Sequence, residues 1–467
     1  MGIFTYILGS GMGGLSGQKA AQQIASTNIA NVNTPGYVRQ RLWLGAVDGL
    51  AGVGTRRAQG PRNRLLMDHI GGVKGQLGFH SGHSKALLML EYATNEIEGN
   101  GLGPRMTEFQ ETLRALEADP GSLALRKEVL NGARKLSAAF KATRKQFMDG
   151  ANTVHYEMKY TANEVTRMSA EIAHLNQSIL ESNSYSEVPN LDLEAIISKR
   201  DHLVGQVSEL VDTTIIHDKN GTVDLYVAGG RLLVDGGMSN AIKVSEMGVG
   251  PNYNVDIQIT SLDGPLLDPV QGFGGQLGGL KEGYDNSIRD GVNRIDELAF
   301  NYMKEFNVRH QGGFGLGGAN GLDFFQDPGV VVDGAAIFMQ LDAAVEQDPD
   351  LIAAAAVVGN LPGGNGNLSF LADALDDLGV LADGSSILGA WTNLKFDITN
   401  RMQLASMGMD TERASALQLE NLFQSEAGVS LDEEMIAMAQ AKTAFDAASQ
   451  VIRTADEMAQ TILMMVR

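Results

Sequence analysis

The chain has no cysteine. Disulfides, thiolate metal sites and cysteine nucleophiles are therefore excluded, and a chain that had to travel unfolded would carry no thiol to crosslink in transit. Aromatic residues make up only 6% of the sequence and do not interleave with basic patches, so no stacking platform for nucleic acid is visible. The net charge of −20 argues against general nucleic-acid binding as well. No run approaches the roughly 18 apolar residues of a membrane span, so no membrane insertion is expected. The start, Met-Gly-Ile-Phe-Thr-Tyr, lacks the basic region of a secretory signal. Tyr6 also stands where a myristoylation site needs Ser or Thr. Any export is then expected to use no cleaved signal. Acid is missing from one end: residues 1–67 hold seven basic residues against the single acid Asp48. That local balance of +6 leaves −26 on the remainder, a basic head on an acidic body.

What is present is concentrated at the two ends. Residues 26–40 read Ser-Thr-Asn-Ile-Ala-Asn-Val-Asn-Thr-Pro-Gly-Tyr-Val-Arg-Gln. From Met438 to Val466, apolar residues recur every seven positions: Met438, Phe445, Ile452, Ala459 and Val466, with Ala441, Ala448, Ala455 and Ile462 three residues on. Two interleaved seven-residue repeats place these side chains on one stripe of a slightly supercoiled helix. Small residues on that stripe permit close approach of a partner but bury little area, so neither end is expected to stand alone. A terminus is usually where order fades; strong patterning at both points to assembly.

Between the ends, 467 residues allow two to four domains. Residues 11–30 read as a helix, ended by Pro35-Gly36, and residues 45–84 as a Gly-rich irregular linker. Helical patterns cover Met106–Ala118, Ser122 to Phe140, a long stripe from Met158 to Ile179, and Leu191–Leu210, as in a bundle. Strand-like clusters separated by Gly-rich turns follow from Thr213 to Ile259. Helices return at Tyr284–Phe306 and, after a Gly-rich loop and short helices, at Trp391–Met409 and on toward Ser425. The expected fold is mainly α with a small β domain: terminal helices forming a coiled coil (1–60 with 425–467), a long-helix bundle (61–211 with 280–424) and a β tip (212–279).

Chemistry is sparse. Gly9-x-Gly11-x-x-Gly14 has the form of a dinucleotide fingerprint, but the acid required about twenty residues on is absent, so a nucleotide-dependent oxidoreductase is a poor reading. His80 and His83, with His69 near, have a metal-compatible spacing but no further ligand, and read as solvated surface residues. Asp432-Glu433-Glu434 reads as acid at a helix start. Asp323 and Asp327 have no fixed geometry for a cation. No catalytic, cofactor or metal residues are expected.

Asn28-Ile29-Ala30-Asn31-Val32-Asn33-Thr34-Pro35-Gly36-Tyr37 resembles the N-terminal signature of the bacterial flagellar axial proteins: rod, hook and hook-associated proteins. Gly428-Val429-Ser430-Leu431-Asp432-Glu433-Glu434-Met435 resembles the matching C-terminal signature, in a form closer to the hook-associated members. Asp119-Pro120-Gly121-Ser122, Arg200-Asp201-His202-Leu203 and Phe306-Asn307 with His310-Gln311-Gly312 fit the same branch, and a hook or rod protein is the alternative. The resemblance implies a non-catalytic structural component at the hook–filament junction, exported by the flagellar type III route with an export chaperone and polymerised at the hook tip outside the cell. Its implied partners are further copies of itself in a ring or tube, hook protein below, and a second junction protein and flagellin above. The expected assembly residues are Leu15, Ile24, Asn28, Ile29, Asn31, Asn33, Pro35, Gly36, Tyr37, Leu431, Met438, Phe445, Ile452, Ala455, Ile462 and Val466.

Overall fold

The structure is a computed structural model and describes residues 2–34, 36–46, 53–59, 63–96, 101–185, 191–247, 254–261, 270–377 and 379–465. The chain opens with helix α1 (Gly2–Ala30) and an antiparallel hairpin, β1 (Arg41–Ala46) with β2 (Val53–Gln59). Four helices follow: α2 (Arg64–Thr94), α3 (Leu102–Ala118), α4 (Leu123–Tyr185) and α5 (Leu191–Val211). A sheet then runs through β3 (Thr214–His217), β4 (Val223–Val227), β5 (Arg231–Asp235), β6 (Met238–Met247) and β7 (Asn254–Ser261). Helix α6 (Gly275–Gly283) passes through a π turn into α7 (Arg289–Gln311). The short helices α8 (Ala335–Phe338), α9 (Ala343–Gln347) and α10 (Gly366–Ala372) lead to two long ones, α11 (Ile387–Ala427) and α12 (Leu431–Met465).

The central rod is α4, 63 residues in one piece and about 95 Å long. Two helical stripes in the sequence are thus one helix. Ser122 caps it, its Oγ accepting from Leu125 N at 3.4 Å, and Pro120 separates it from α3. Phe140, Phe147, Met158, Val165 and Ile172 bury one face of it completely against the rest of the bundle. Further along, α4 carries the sheet, a five-stranded antiparallel meander in chain order. Asn176 Nδ2 donates to Val223 O and to Gly236 O, both at 2.8 Å, and Thr166 Oγ1 accepts from Ile242 N at 2.9 Å. Those bonds satisfy buried backbone groups that a helix–sheet contact would otherwise strand.

Helix α2 corrects the linker reading of 45–84. Gly71, Gly75, Gly78 and Gly82 are buried in it, at i, i+4, i+7 and i+11, on one helical face. Gly78 and Gly82 are glycines because neighbouring backbones lie against them: a Cβ at Gly78 would fall 1.8 Å from Glu209 O of α5, and one at Gly82 would fall 2.2 Å from Gln276 O of α6. Helix α6 answers in kind, since a Cβ at Gly279 would meet Phe79 O at 1.9 Å. Gly275–Gly279, expected to close the β domain, are therefore the start of a bundle helix. His80 and His83 are half-buried on α2 rather than solvated loop residues, and His80 lies against Gly408 of α11. Burial holds the His83 pKa below its ordinary value, with Arg401 and His80 adding to the effect against Glu282.

The Gly-rich loop after α7 is held by the last turns of that helix. Asn307 Oδ1 accepts from Phe324 N (3.1 Å) and Phe325 N (2.9 Å), and its Nδ2 donates to Phe325 O at 2.8 Å. His310 bridges Leu322 O at 2.7 Å and Ala353 N at 3.0 Å, which requires the neutral ring with its proton on Nδ1. Asp323 accepts from Gln311 Nε2 and Asp327 from Gly329 N, so both carboxylates serve loop geometry. Nearby, Arg144 pairs with Asp296 through Nε at 2.8 Å, both fully buried, and Asp296 also accepts from Gly334 N and Ala336 N.

Candidate assembly interface

The two ends of the chain lie together. Helix α1 packs along α12, and the α12 stripe is what faces it. Ala441 and Ala455 are buried, and Met438, Phe445, Ala448, Ile452 and Ala459 are half-buried. On α1, Ile24 is buried with Ala25, and Leu15 and Ile29 are half-buried. The Gly9–Gly14 motif lies within the helix rather than in a phosphate-binding loop. A Cβ at Gly11 would sit 2.8 Å from Ile452 Cγ1, and one at Gly14 would sit 3.9 Å from the Ala448 methyl. Glycine here lets two helices approach closely, and the nucleotide reading has no loop to rest on.

Where α1 ends, the chain turns onto α5. Gly36 has φ +74, and a Cβ there would fall 2.7 Å from His202 Cβ. Both constraints demand glycine. Asn31 holds the turn, donating through Nδ2 to Thr27 O at 2.9 Å and accepting from Thr34 Oγ1 at 3.2 Å. Asn33 is exposed.

The N-terminal and C-terminal signatures meet in one buried polar network. Asn28, with no exposed surface, uses every hydrogen-bonding position of its amide. Its Oδ1 accepts from Tyr37 OH (2.9 Å) and Gln40 N (3.0 Å), and its Nδ2 donates to Gln40 O (2.9 Å) and Glu434 Oε2 (3.0 Å). The other Glu434 oxygen accepts from Arg39 Nε at 2.5 Å, while Arg39 Nη1 pairs with Glu433. Arg39 N also donates to Ala427 O at 2.9 Å, fastening the strand entry to the end of α11. Burial pushes the Tyr37 phenol up to about 12, and the carboxylates of Glu434 and Glu194 add to it. Tyr37 is thus a neutral donor at any ordinary pH. Glu434, only 3% exposed, is far more than acid at a helix start. It is the residue through which α12 recognises the Asn28 turn.

Not every expected residue joins this contact. Leu431 and Ile462 are exposed in the chain, and Pro35 and Val466 lie outside the described residues. Conversely, Arg39, Gln40, Glu434, Gly11 and His202 take part although they were not among the expected assembly residues. One more signal was in the sequence. Ala437, Ala444, Val451, Met458 and Met465 form a third seven-residue line beside the seam. Its last three members are exposed, Met458 at 52% and Met465 at 80%. A helix with three apolar heptad lines has a face too wide for one partner, and α1 covers only part of it. Among the described residues, no group of three or more metal-ligating side chains and no helix long and apolar enough to cross a membrane occurs.

Comparison with known proteins identifies the family. The model of the flagellar hook-associated protein FlgK helical domain matches residues 87–325, more than half of the chain. The chain belongs to the flagellar hook-associated protein FlgK family. Models of the flagella basal body rod protein and of the flagellar basal body rod FlgEFG protein C-terminal region match residues 8–37 and 422–465, the two paired ends. Flagellar hook-associated protein 1 of Bacillus subtilis is 24% identical over 490 residues, covering 96% of each chain. Its Escherichia coli counterpart is 23% identical over 329 residues, covering 68% of this chain and 59% of the relative. The structure of the flagellar hook junction protein FlgK from Burkholderia pseudomallei shares the fold, with a TM-score of 0.65 at 13% identity, over 78% of this chain and all of that one. Like the FlgK family as a whole, the chain is a structural component of the flagellum at the hook–filament junction.

Proposed function

We propose that the chain is exported, and that it polymerises at the hook tip outside the cell through its paired terminal helices. In this reading α1 and α12 form the inner wall of a tube, the α2–α7 bundle an outer layer, and the sheet carried by α4 its periphery. The domains are then 1–60 with 425–467, 61–211 with 280–424, and 212–279 less the α6 residues. The observation that carries this is the third apolar line of α12, Val451, Met458 and Met465, which α1 leaves uncovered. A neighbouring copy is the partner that a repeating tube supplies at every position. Ile462 and Leu431, exposed in the single chain, extend the same surface. The chain has no catalytic role in this account. Hook protein lies below it, a second junction protein and flagellin above, and an export chaperone shields the apolar C-terminus beforehand.

Deleting the gene tests the reading. The expected outcome is cells with hooks, no attached filament, and flagellin lost to the medium. Motile cells with intact filaments would overturn it.

A further inference from the structure

The chain has two tryptophans, and the structure treats them oppositely. Trp391 is 1% exposed and donates through Nε1 to Glu96 Oε1 at 3.0 Å. Trp43 is 65% exposed on β1. A two-stranded ribbon is marginal in water by itself, and this one rests on α1 with a lesser contact to α5. A large aromatic at the open face of such a ribbon is the residue type that most often anchors a protein interface. Burying it would remove about 150–250 Å² from water.

A receiving surface exists at the foot of the bundle. A groove of about 390 Å³ opens between α2, α5, β3 and α11, beside the Gly36–Val38 turn. Met67, Ile70 and Leu417 give it apolar walls. It is lined by Asp68, Asp201 and Glu420, of which Glu420 is paired with Lys74 and Asp201 with Arg200, so a small negative excess remains there. The hairpin has the opposite sign: its two strands contain Arg41, Arg56 and Arg57 and no acid. The chain's own Trp43 does not line the groove, because β1 is committed to β2 and α1.

We propose that the β1–β2 hairpin of one copy docks in the α2–α5–α11 groove of a second copy, with Trp43 as its anchor. The proposal rests on the assembly reading above and adds to it a specific contact between copies. Hairpin-to-groove contact is heterologous: each copy offers a different surface on each side. Such a contact propagates around a ring or along a helix instead of closing a dimer. The charge match orients the encounter and is weakened by salt.

The absence of native cysteine makes the test clean. Arg41→Cys, on the Trp43 face of β1, and Asn421→Cys, in the groove wall, are placed in separately tagged full-length chains and expressed together in cells lacking the native gene. Thiol crosslinking of isolated flagella is expected to give a species carrying both tags, absent from the secreted monomer. Flagella containing both chains without that species, or with Arg41→Cys joined to itself, would overturn the docking. In a second arm, Trp43→Ala is expected to melt like the wild type and to enter flagella at least tenfold less well. Incorporation equal to wild type would overturn the proposal. Wild-type chain that itself fails to enter flagella would instead count against the assembly reading, so the two failures are distinguishable.

Discussion

Glu434 shows how one side chain joins two signatures 406 residues apart. Its carboxylate is divided between Asn28 and Arg39, and neither oxygen has a ready substitute partner. Glu434→Ala would leave one Nδ2 hydrogen of the buried Asn28 amide and the Nε–H of the largely covered Arg39 guanidinium without an acceptor. Removing one member of a buried pair costs about 3–5 kcal/mol. Arg39 keeps some access to water and its pairing with Glu433, which lowers the expected loss to about 2–3 kcal/mol. Amide hydrogen exchange along α1 and α12 in the secreted monomer should then be roughly 30-fold faster or more. Glu434→Gln, which can still accept from Asn28, should fall between. Unchanged exchange in Glu434→Ala would mean that the network does not hold the ends together. The sequence displayed every member of this network. What it could not display was the pairing, because an acid near the start of a helix has a sufficient local explanation and the distant partner leaves no local trace.

At the scale of elements, glycine was the residue most easily misread. Gly71, Gly75, Gly78 and Gly82 look like a linker by composition and like a helix face by spacing. Spacing is what the structure obeys, because a hydrogen in place of a side chain at Gly78 and at Gly82 lets α5 and α6 lie directly on α2. A paired substitution separates the two ideas. Gly78→Ala would drive a methyl into the Glu209 carbonyl, at the upper end of the ~1–3 kcal/mol cost of overpacking or beyond it. Gly72→Ala, on the same helix with nothing within 4 Å of its Cβ position, should stabilise by about 0.5–1 kcal/mol through lost chain entropy. Thermal or urea denaturation checks both; equal effects would mean that α2 is not packed as described. The other elements were legible to different degrees. Strand β6 (Met238–Met247) was not anticipated, whereas strands β3, β4, β5 and β7 and helices α3, α5 and α7 follow from periodicity and turn residues. The fusion of two stripes into α4 and the β1–β2 hairpin do not, since the first needs continuity through Gly150 and the second has no alternation strong enough to outweigh its glycines.

At the scale of the whole molecule, the chain is folded back on itself so that its first and last helices pair, with the bundle and sheet between them in the sequence. Mainly α architecture with a β tip and matched ends was readable from heptads, turn clusters and the two terminal signatures. The residues that close the ends on each other were only half readable. The Asn28–Tyr37 turn was evident, but the Gly11–Ile452 approach and the Arg39–Glu434 pair depend on three-dimensional proximity. The central claim is that the apolar line of α12 left exposed by α1 is where neighbouring copies join. It is tested most directly by the fraction of secreted chain recovered in flagella for Met458→Asp, a position exposed in the single chain and so harmless to its fold. A charge placed in a buried contact between copies costs several kcal/mol. The account predicts normal secretion and melting with incorporation at least tenfold below wild type; incorporation equal to wild type would contradict it.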